Sequence, residues 1–300
     1  MAIAMVDVPA QQQPAAAPHR ARTSVWHRAA RLNWLAGGFS VIWLLIVMIP
    51  LYWIVITSFK SETNYFQSNA LEPTGHPTLD NFRLVLHSDF LHYFVNSVIV
   101  TVAATFVAVL VSFMAAYAII RDNRSLFLRG TNWLFLMGLA IPLQATVIPI
   151  YLMIIKLKLY DTLMALILPS IAFAIPLSVL VLTNFIRDVP RELFESMRVD
   201  GATEWAMLWR LAFPLTRPAL VTVSIYQGLL IWNNFLLPLV LTQSPSERTL
   251  PLALWTFQGQ YSVNIPAVLA SVLLTALPIL GMYVIGRRQL VSGLSGGFTK

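Results

Sequence analysis

The sequence predicts an all-α, polytopic membrane bundle of six transmembrane helices, and three observations carry that prediction. Of 300 residues, 57% are apolar and only 11% charged, against about 25% charged in an ordinary soluble domain. Mean hydropathy is +0.70, which excludes a disordered chain, since disorder needs low hydrophobicity. Six runs of about twenty residues or more contain no Asp, Glu, Lys or Arg, long enough as helices to cross the hydrocarbon core of a bilayer. They do not alternate apolar with polar residues as barrel strands do, and a helix satisfies its own backbone in lipid. With no cysteine, a disulfide framework, a thiolate metal site and a cysteine nucleophile are excluded.

In chain order, residues 1–38 form an N-terminal tail. Its stretch 1–18 is rich in Ala, Pro and Gln and reads as disordered, and no apolar core with a cleavage site follows to make a secretory signal. Residues 26–34 are expected to lie on the membrane surface as a short basic helix. The apolar runs are 39–59, 94–120, 133–155, 163–185, 220–242 and 266–286, making a membrane domain over 39–288 with its core at about 90–288. Pro50, Pro142, Pro149, Pro169, Pro176, Pro238 and Pro278 fall inside these runs, where each removes a backbone hydrogen bond and kinks its helix. Residues 289–300 form a C-terminal tail.

Six spans put both termini on one side. That side holds fifteen of the twenty Lys and Arg, so the positive-inside rule makes it cytoplasmic. The net charge of +7 is then mainly a topology signal, and no nucleic-acid partner is expected.

None of the six runs contains an acidic or basic residue, histidine included. A proton-driven carrier lacks its relay, and an intramembrane hydrolase lacks a carboxylate pair, a metal cluster or a Ser/His pair. Sodium coupling stays open, because backbone carbonyls can bind that ion. The polar residues at depth are uncharged. Asn96, Gln144, Gln227, Asn233 and Asn234 are either helix–helix hydrogen-bonding groups or the lining of a path for a neutral, polyhydroxylated solute.

The loop 186–219 carries ten charges that cancel, together with Phe194, Met197, Trp205 and Trp209. Pro190 suits a first helical turn with Asp188 or Val189 as cap, and Glu192 and Glu195 then sit where the helix dipole favours anions. Leu193, Met197, Trp205 and Trp209 recur at four or eight residues, which gives one apolar face. Gly201 supplies a positive φ to end or bend the helix. Zero net charge disfavours simple adhesion to anionic lipid. Packing on the bundle and insertion into a partner's groove both remain open.

The spacing Glu195-Ser196-Met197, three residues, Gly201, nine residues, Leu211-Ala212-Phe213-Pro214 resembles the signature of ABC-importer permeases (Glu-Ala-Ala, Gly, Ile-x-Leu-Pro). Ser196 and Met197 depart from the two alanines. Thr57-Ser58-Phe59-Lys60, Phe94-Val95-Asn96-Ser97, Ala115-Ala116-Tyr117-Ala118, the stretches 232–239 and 248–252, and the tail 289–297 resemble the carbohydrate-importer subgroup, in particular the second, shorter permease of the maltose type. The resemblance implies the type I importer fold. It implies half of a pore shared with a second homologous permease, two copies of an ATPase subunit below, and an extracytoplasmic sugar-binding protein above, in a bacterial cell membrane.

It further implies that the 190–206 helix is a coupling helix seated on the ATPase, with Glu192, Phe194, Glu195, Met197, Arg198, Asp200, Gly201 and Trp205 as contacts. The C-terminal tail, with Gly293, Gly296, Gly297 and Lys300, would reach the ATPase subunits, and the outer loop 243–266 would touch the binding protein. The sequence has no Gly-x4-Gly-Lys-Ser/Thr motif, so it cannot cradle ATP phosphates. ATP and Mg2+ are therefore expected in the partner subunits, with no cofactor on this chain and no catalytic role for it. The alternatives are a permease of the same type for another solute, such as glycerol phosphate, and an ion-coupled secondary carrier, which would need an internal repeat.

Overall fold

A computed structural model of the chain describes residues 34–122, 124–254 and 263–295. The chain divides into two units, Met1–Pro50 and Leu51–Lys300. The described part of the first is the start of helix α1 (Trp34–Ser58), apolar on every side, as a helix immersed in lipid requires.

The second unit is organised around α4 (Phe90–Arg121) and α7 (Leu163–Arg187), the pair with the most extensive mutual packing. The sequence shows why they meet. Ala104, Ala108, Ser112 and Ala116 recur every four residues on α4, and Ser170, Ala174 and Ser178 do so on α7; all are buried. Residues four apart share a helix face, and small side chains let two backbones approach closely where lipid offers no hydrophobic drive. Ser112 Oγ donates across the pair to the Ile175 carbonyl at 3.4 Å.

Helix α10 (Phe213–Trp232) packs on both, and α13 (Ile265–Ser295) packs on α10. The chain between α1 and α4 is pinned by polar groups. Lys60 is fully buried and donates to Ser68 Oγ and to the Asn69 carbonyl. Asn81, on α3 (Asp80–His87) after the short α2 (Glu62–Gln67), donates to the Ser58 and Lys60 carbonyls, each at 2.8 Å.

Among the described residues four helices are long and apolar enough to cross a membrane: Gly37–Ser58, Phe90–Arg121, Leu163–Arg187 and Ile265–Val284. The other two expected runs are helical but broken. Run 133–155 becomes α5 (Leu126–Gly138) and α6 (Leu143–Lys156), which meet at 109°. Pro142 has no N–H to continue the helix and takes an extended conformation as the cap of α6, which forces the break. Gly138 closes α5 against α7: a Cβ there would stand 3.0 Å from the Pro176 ring.

Run 220–242 divides into α10 and α11 (Leu236–Leu241), interrupted at 233–235; Asn234 Oδ1 accepts from the Leu237 N–H and starts α11. Backbone breaks at membrane depth are tolerated where they are buried in protein or line a cavity.

The terminal helices run past the expected spans. Helix α1 begins at Trp34, inside the expected tail 1–38, and α13 continues through residue 289 to Ser295. Gly293 is therefore in helix. Gly296, Gly297 and Lys300, the stretch 1–18 and residues 26–33 lie outside the described residues.

Candidate functional site

The loop between α7 and α10 folds as two short helices, α8 (Arg191–Val199) and α9 (Glu204–Met207), and not as one helix over 190–206. Pro190 is the residue that caps α8, with no side-chain bond, so the cap falls one or two residues after Asp188 and Val189. Gly201 adopts φ +81, the left-handed backbone that closes a helix. The Ala202 N–H reaches the Met197 carbonyl at 2.9 Å and the Gly201 N–H the Arg198 carbonyl at 3.0 Å, which is a Schellman closure. Thr203 then caps α9 by accepting from the Ala206 N–H.

The widened turn Leu208–Ala212 follows, in which the Phe213 N–H reaches back to the Leu208 carbonyl, and leads directly into α10. Pro214 and Pro218, read from sequence as punctuation, lie inside this helical path. Pro214 lacks an N–H for the carbonyl four residues earlier and would crowd it, and a wider turn relieves both problems.

The break at Gly201 also changes which face is apolar. Spacing across a turn carries no helical phase, so Leu193, Met197, Trp205 and Trp209 do not form one stripe. Phe194 and Met197 form the inner face instead, packed with Val189, Met207 and Trp209. Phe194, expected from the resemblance to be a docking anchor, is 2% exposed. Its ring lies 6.2 Å from that of Tyr117, and the Arg121 guanidinium sits 4.7 Å from its centroid. It therefore fixes α8 to the end of α4.

Glu204, which no motif or spacing in the sequence singles out, completes that attachment. It accepts from Tyr117 Oη at 2.7 Å, from Arg121 Nε at 3.2 Å and Nη2 at 3.3 Å, and from Arg198 in a very short contact. Partial burial works to raise its pKa, but the hydrogen bonds from Arg121, Tyr117 and Arg198 and the charge of Arg121 prevail and hold it at about 2. Arg198 is thereby turned back across the Gly201 turn. What remains outward is Glu192, Glu195, Asp200, Gly201, Val199 at 87% exposure and Trp205 at 60%.

At the other end of the helices, the expected pore residues separate. Gln227 and Asn234 line one cavity of about 300 Å³ with Ser170, Phe173 and Leu143, beside both helix breaks. Gln227 also donates to the Ala174 carbonyl at 3.1 Å and to Ser178 Oγ at 3.2 Å, so it ties α10 to α7 as well. Asn233 faces a different cavity, bounded by α13 residues such as Val272 and Thr275. Gln144 is exposed on the first turn of α6.

Asn96 is not a lining group. It is buried and donates to the Ser246 and Arg248 carbonyls at 2.7 and 2.9 Å, while Leu250 of α12 (Leu250–Ala253) donates its N–H to Ser97 Oγ. This holds the described start of loop 243–266 on α4. Asp161, φ +59, holds the same loop from the other side, accepting from the Gln243 and Ser244 N–H groups and from the Ser244 hydroxyl. That hydroxyl first, and then the two amides, lower its pKa.

The family model described as "Binding-protein-dependent transport system inner membrane component" matches residues 108–289, more than half of the chain and the whole of the α7–α10 loop. The arabinooligosaccharides transport system permease protein AraQ of Halalkalibacterium halodurans is 33% identical over 90% of this chain and 97% of its own length. The trehalose transport system permease protein SugB of Mycobacterium tuberculosis is 32% identical over 93% and 98%. In backbone, a chain of a bacterial ABC transporter that imports the polysaccharide alginate superposes with a TM-score of 0.61, at 16% identity over 88% of this chain and 98% of that one. A membrane-embedded bundle without an ATP-binding motif, with its signature on a helix–turn–helix between α7 and α10, thus belongs to the family of binding-protein-dependent inner-membrane components, as the permease subunit of an ABC importer and not the subunit that hydrolyses ATP.

Proposed function

We propose that this permease imports a neutral sugar or oligosaccharide as one half of a two-permease pore, and that α8–α9 is its connection to a separate ATPase. The observation that carries the coupling role is the two-sidedness of α8. Its inner side is locked to α4 through Phe194 and Arg121, with Glu204 of α9 beside them, and its outer side leaves Glu192, Glu195 and Val199 exposed, next to the exposed Trp205 of α9. A short helix fixed to the bundle on one side and exposed on the other transmits displacement from whatever seats on it. Glu192, Glu195 and Asp200 give that outer side an acidic rim suited to basic groups on the ATPase. ATP and Mg2+ act in two copies of that partner, and an extracytoplasmic binding protein delivers the cargo near the 243–254 segment. Both termini and α8–α9 then face the cytoplasm, in agreement with the positive-inside asymmetry.

Sugar as cargo is supported by the relatives named for arabinooligosaccharide and trehalose transport. The charge-free Gln227–Asn234 cavity, at the small end of ligand-sized volumes, agrees with a neutral polar solute.

The test is uptake in proteoliposomes holding the complete transporter. Glu195→Ala should abolish sugar uptake and lower binding-protein-stimulated ATP hydrolysis at least about tenfold, as expected when one partner of a buried interfacial charge pair is removed, with the permease still in the membrane. Unchanged uptake by Glu195→Ala and by Glu192→Ala/Glu195→Ala together would refute the coupling role.

A further inference from the structure

A sizeable cavity lies on the flank of α8 away from its most exposed face. It has a volume of about 590 Å³ and is lined by Ile119, Ile120, Ile186, Val189, Phe194 and Asn132, together with four arginines: Arg121, Arg129, Arg187 and Arg191. None of its lining residues is acidic. Four separate elements supply the arginines: the end of α4, the first turn of α5, the end of α7 and the start of α8. Arg121 is partly neutralised by Glu204, while Arg129, Arg187 and Arg191 form no ion pair among the described residues.

The zero net charge of the loop is therefore spatially divided. Of the loop's five carboxylates none lines the cavity: Glu192, Glu195 and Asp200 are exposed, Glu204 is engaged below, and Asp188 has a contact of its own, whereas Arg187 and Arg191 line the cavity and are joined there by two arginines from outside the loop. Arg129, Arg187 and Arg191 are exposed at the cavity's mouth and Arg121 is half-buried; like charges gathered at one opening repel one another, and a phosphate oxygen set is the ligand their forked geometry suits.

Position decides which phosphate. The cavity is at the ends of two membrane-crossing helices, the depth of the lipid headgroups. Beside it, Leu126, Arg129 and Trp133 share one stripe of α5 at three- and four-residue spacing; Leu126 is 80% and Trp133 65% exposed. One arginine in the cavity thus continues into an apolar, lipid-facing track. We infer that the cavity binds the phosphodiester headgroup of an anionic glycerophospholipid whose acyl chain lies along the Leu126–Trp133 stripe. Basic pockets between helices on the cytoplasmic side take such headgroups. The inference rests on the proposed orientation, in which this end of the bundle meets the cytoplasmic leaflet, but not on the sugar or the ATPase.

The test is native mass spectrometry and lipid extraction of the complete transporter, purified in mild detergent and exchanged into nanodiscs of phosphatidylcholine in which about one lipid in five is phosphatidylglycerol. Wild type should retain phosphatidylglycerol over phosphatidylcholine. Arg187→Gln and Arg129→Gln should each weaken retention about fivefold, following a surface attraction of about 1 kcal/mol per arginine, and Arg129→Lys should restore most of it. Trp133→Ala should weaken retention of the lipid without affecting displacement by soluble anions. Equal retention in wild type and the Arg129→Gln/Arg187→Gln double variant would overturn the proposal, and so would displacement of the lipid by millimolar inorganic phosphate, which would mark a soluble-anion site. Because lipid retention needs neither cargo nor nucleotide, loss of uptake in Glu195→Ala with retention intact, or the converse, separates the two proposals.

Discussion

Glu204 and Gly201 decide the shape of the coupling element one residue at a time. Glu204 joins residues 83 and 87 positions earlier in the chain to Arg198 across a turn. Its carboxyl is held at about 2 in the fold against an ordinary value of 4.5, so its ionised form favours the folded state. That contribution is complete above about pH 4.5 and is lost as pH falls toward 2. Half-exposure of the side chain keeps the effect local through solvent screening. Cleavage by pepsin in the 199–204 turn should therefore rise steeply over that interval in wild type, whereas Glu204→Gln should already be cleaved readily at its upper limit; identical profiles would remove Glu204 as the clasp.

At Gly201 no atom lies within 4 Å of the place a methyl group would take, so space is not the constraint and the left-handed backbone is. Alanine there should cost about 1–2 kcal/mol, and asparagine less, since it tolerates that conformation. Thermal melts ranking Gly, then Asn, then Ala, then Val would confirm backbone strain, whereas a ranking by side-chain volume would contradict it. None of Glu204's partners on α4 is legible in the sequence, because a distance of more than eighty residues carries no periodicity; Gly201 is legible, because a positive φ is a property of one residue type.

Among elements, the long helices can be read directly from hydropathy, whereas hydropathy alone does not separate the interrupted ones from them, and only the prolines within the runs hint at the breaks. The apolar runs at 94–120 and 163–185 become single helices because hydropathy and length specify them. Runs 133–155 and 220–242 have the same apolar content, but Pro142 and the Asn233-Asn234 pair break them, and hydropathy does not register a missing N–H. The apolar face of α8 departs from the sequence spacing for a related reason: the turn at Gly201 resets the phase on which a stripe from Leu193 to Trp209 depends. The segment after α1 makes a testable element of its own. Asn81 satisfies two buried carbonyls at once, so Asn81→Ala should destabilise the protein by about 1–3 kcal/mol, measured as a lower melting temperature of the detergent-purified transporter. A change within error would mean that water replaces the amide.

For the molecule as a whole, family membership defines a part and not a machine. The permease has no phosphate-binding motif, and the purified chain should show no ATP turnover until its ATPase is added; hydrolysis by the permease alone would conflict with its place in the family. The four-residue recurrence of Ala104, Ala108, Ser112 and Ala116 is present in the sequence as a small-residue stripe, and it places α4 in close register with α7. Where the small side chains of the two stripes meet, the two helices have little play. A bulky insert such as Ala108→Leu should act as a shim, levering the shafts apart, so that a stroke delivered at one end dissipates as slack before it reaches the other.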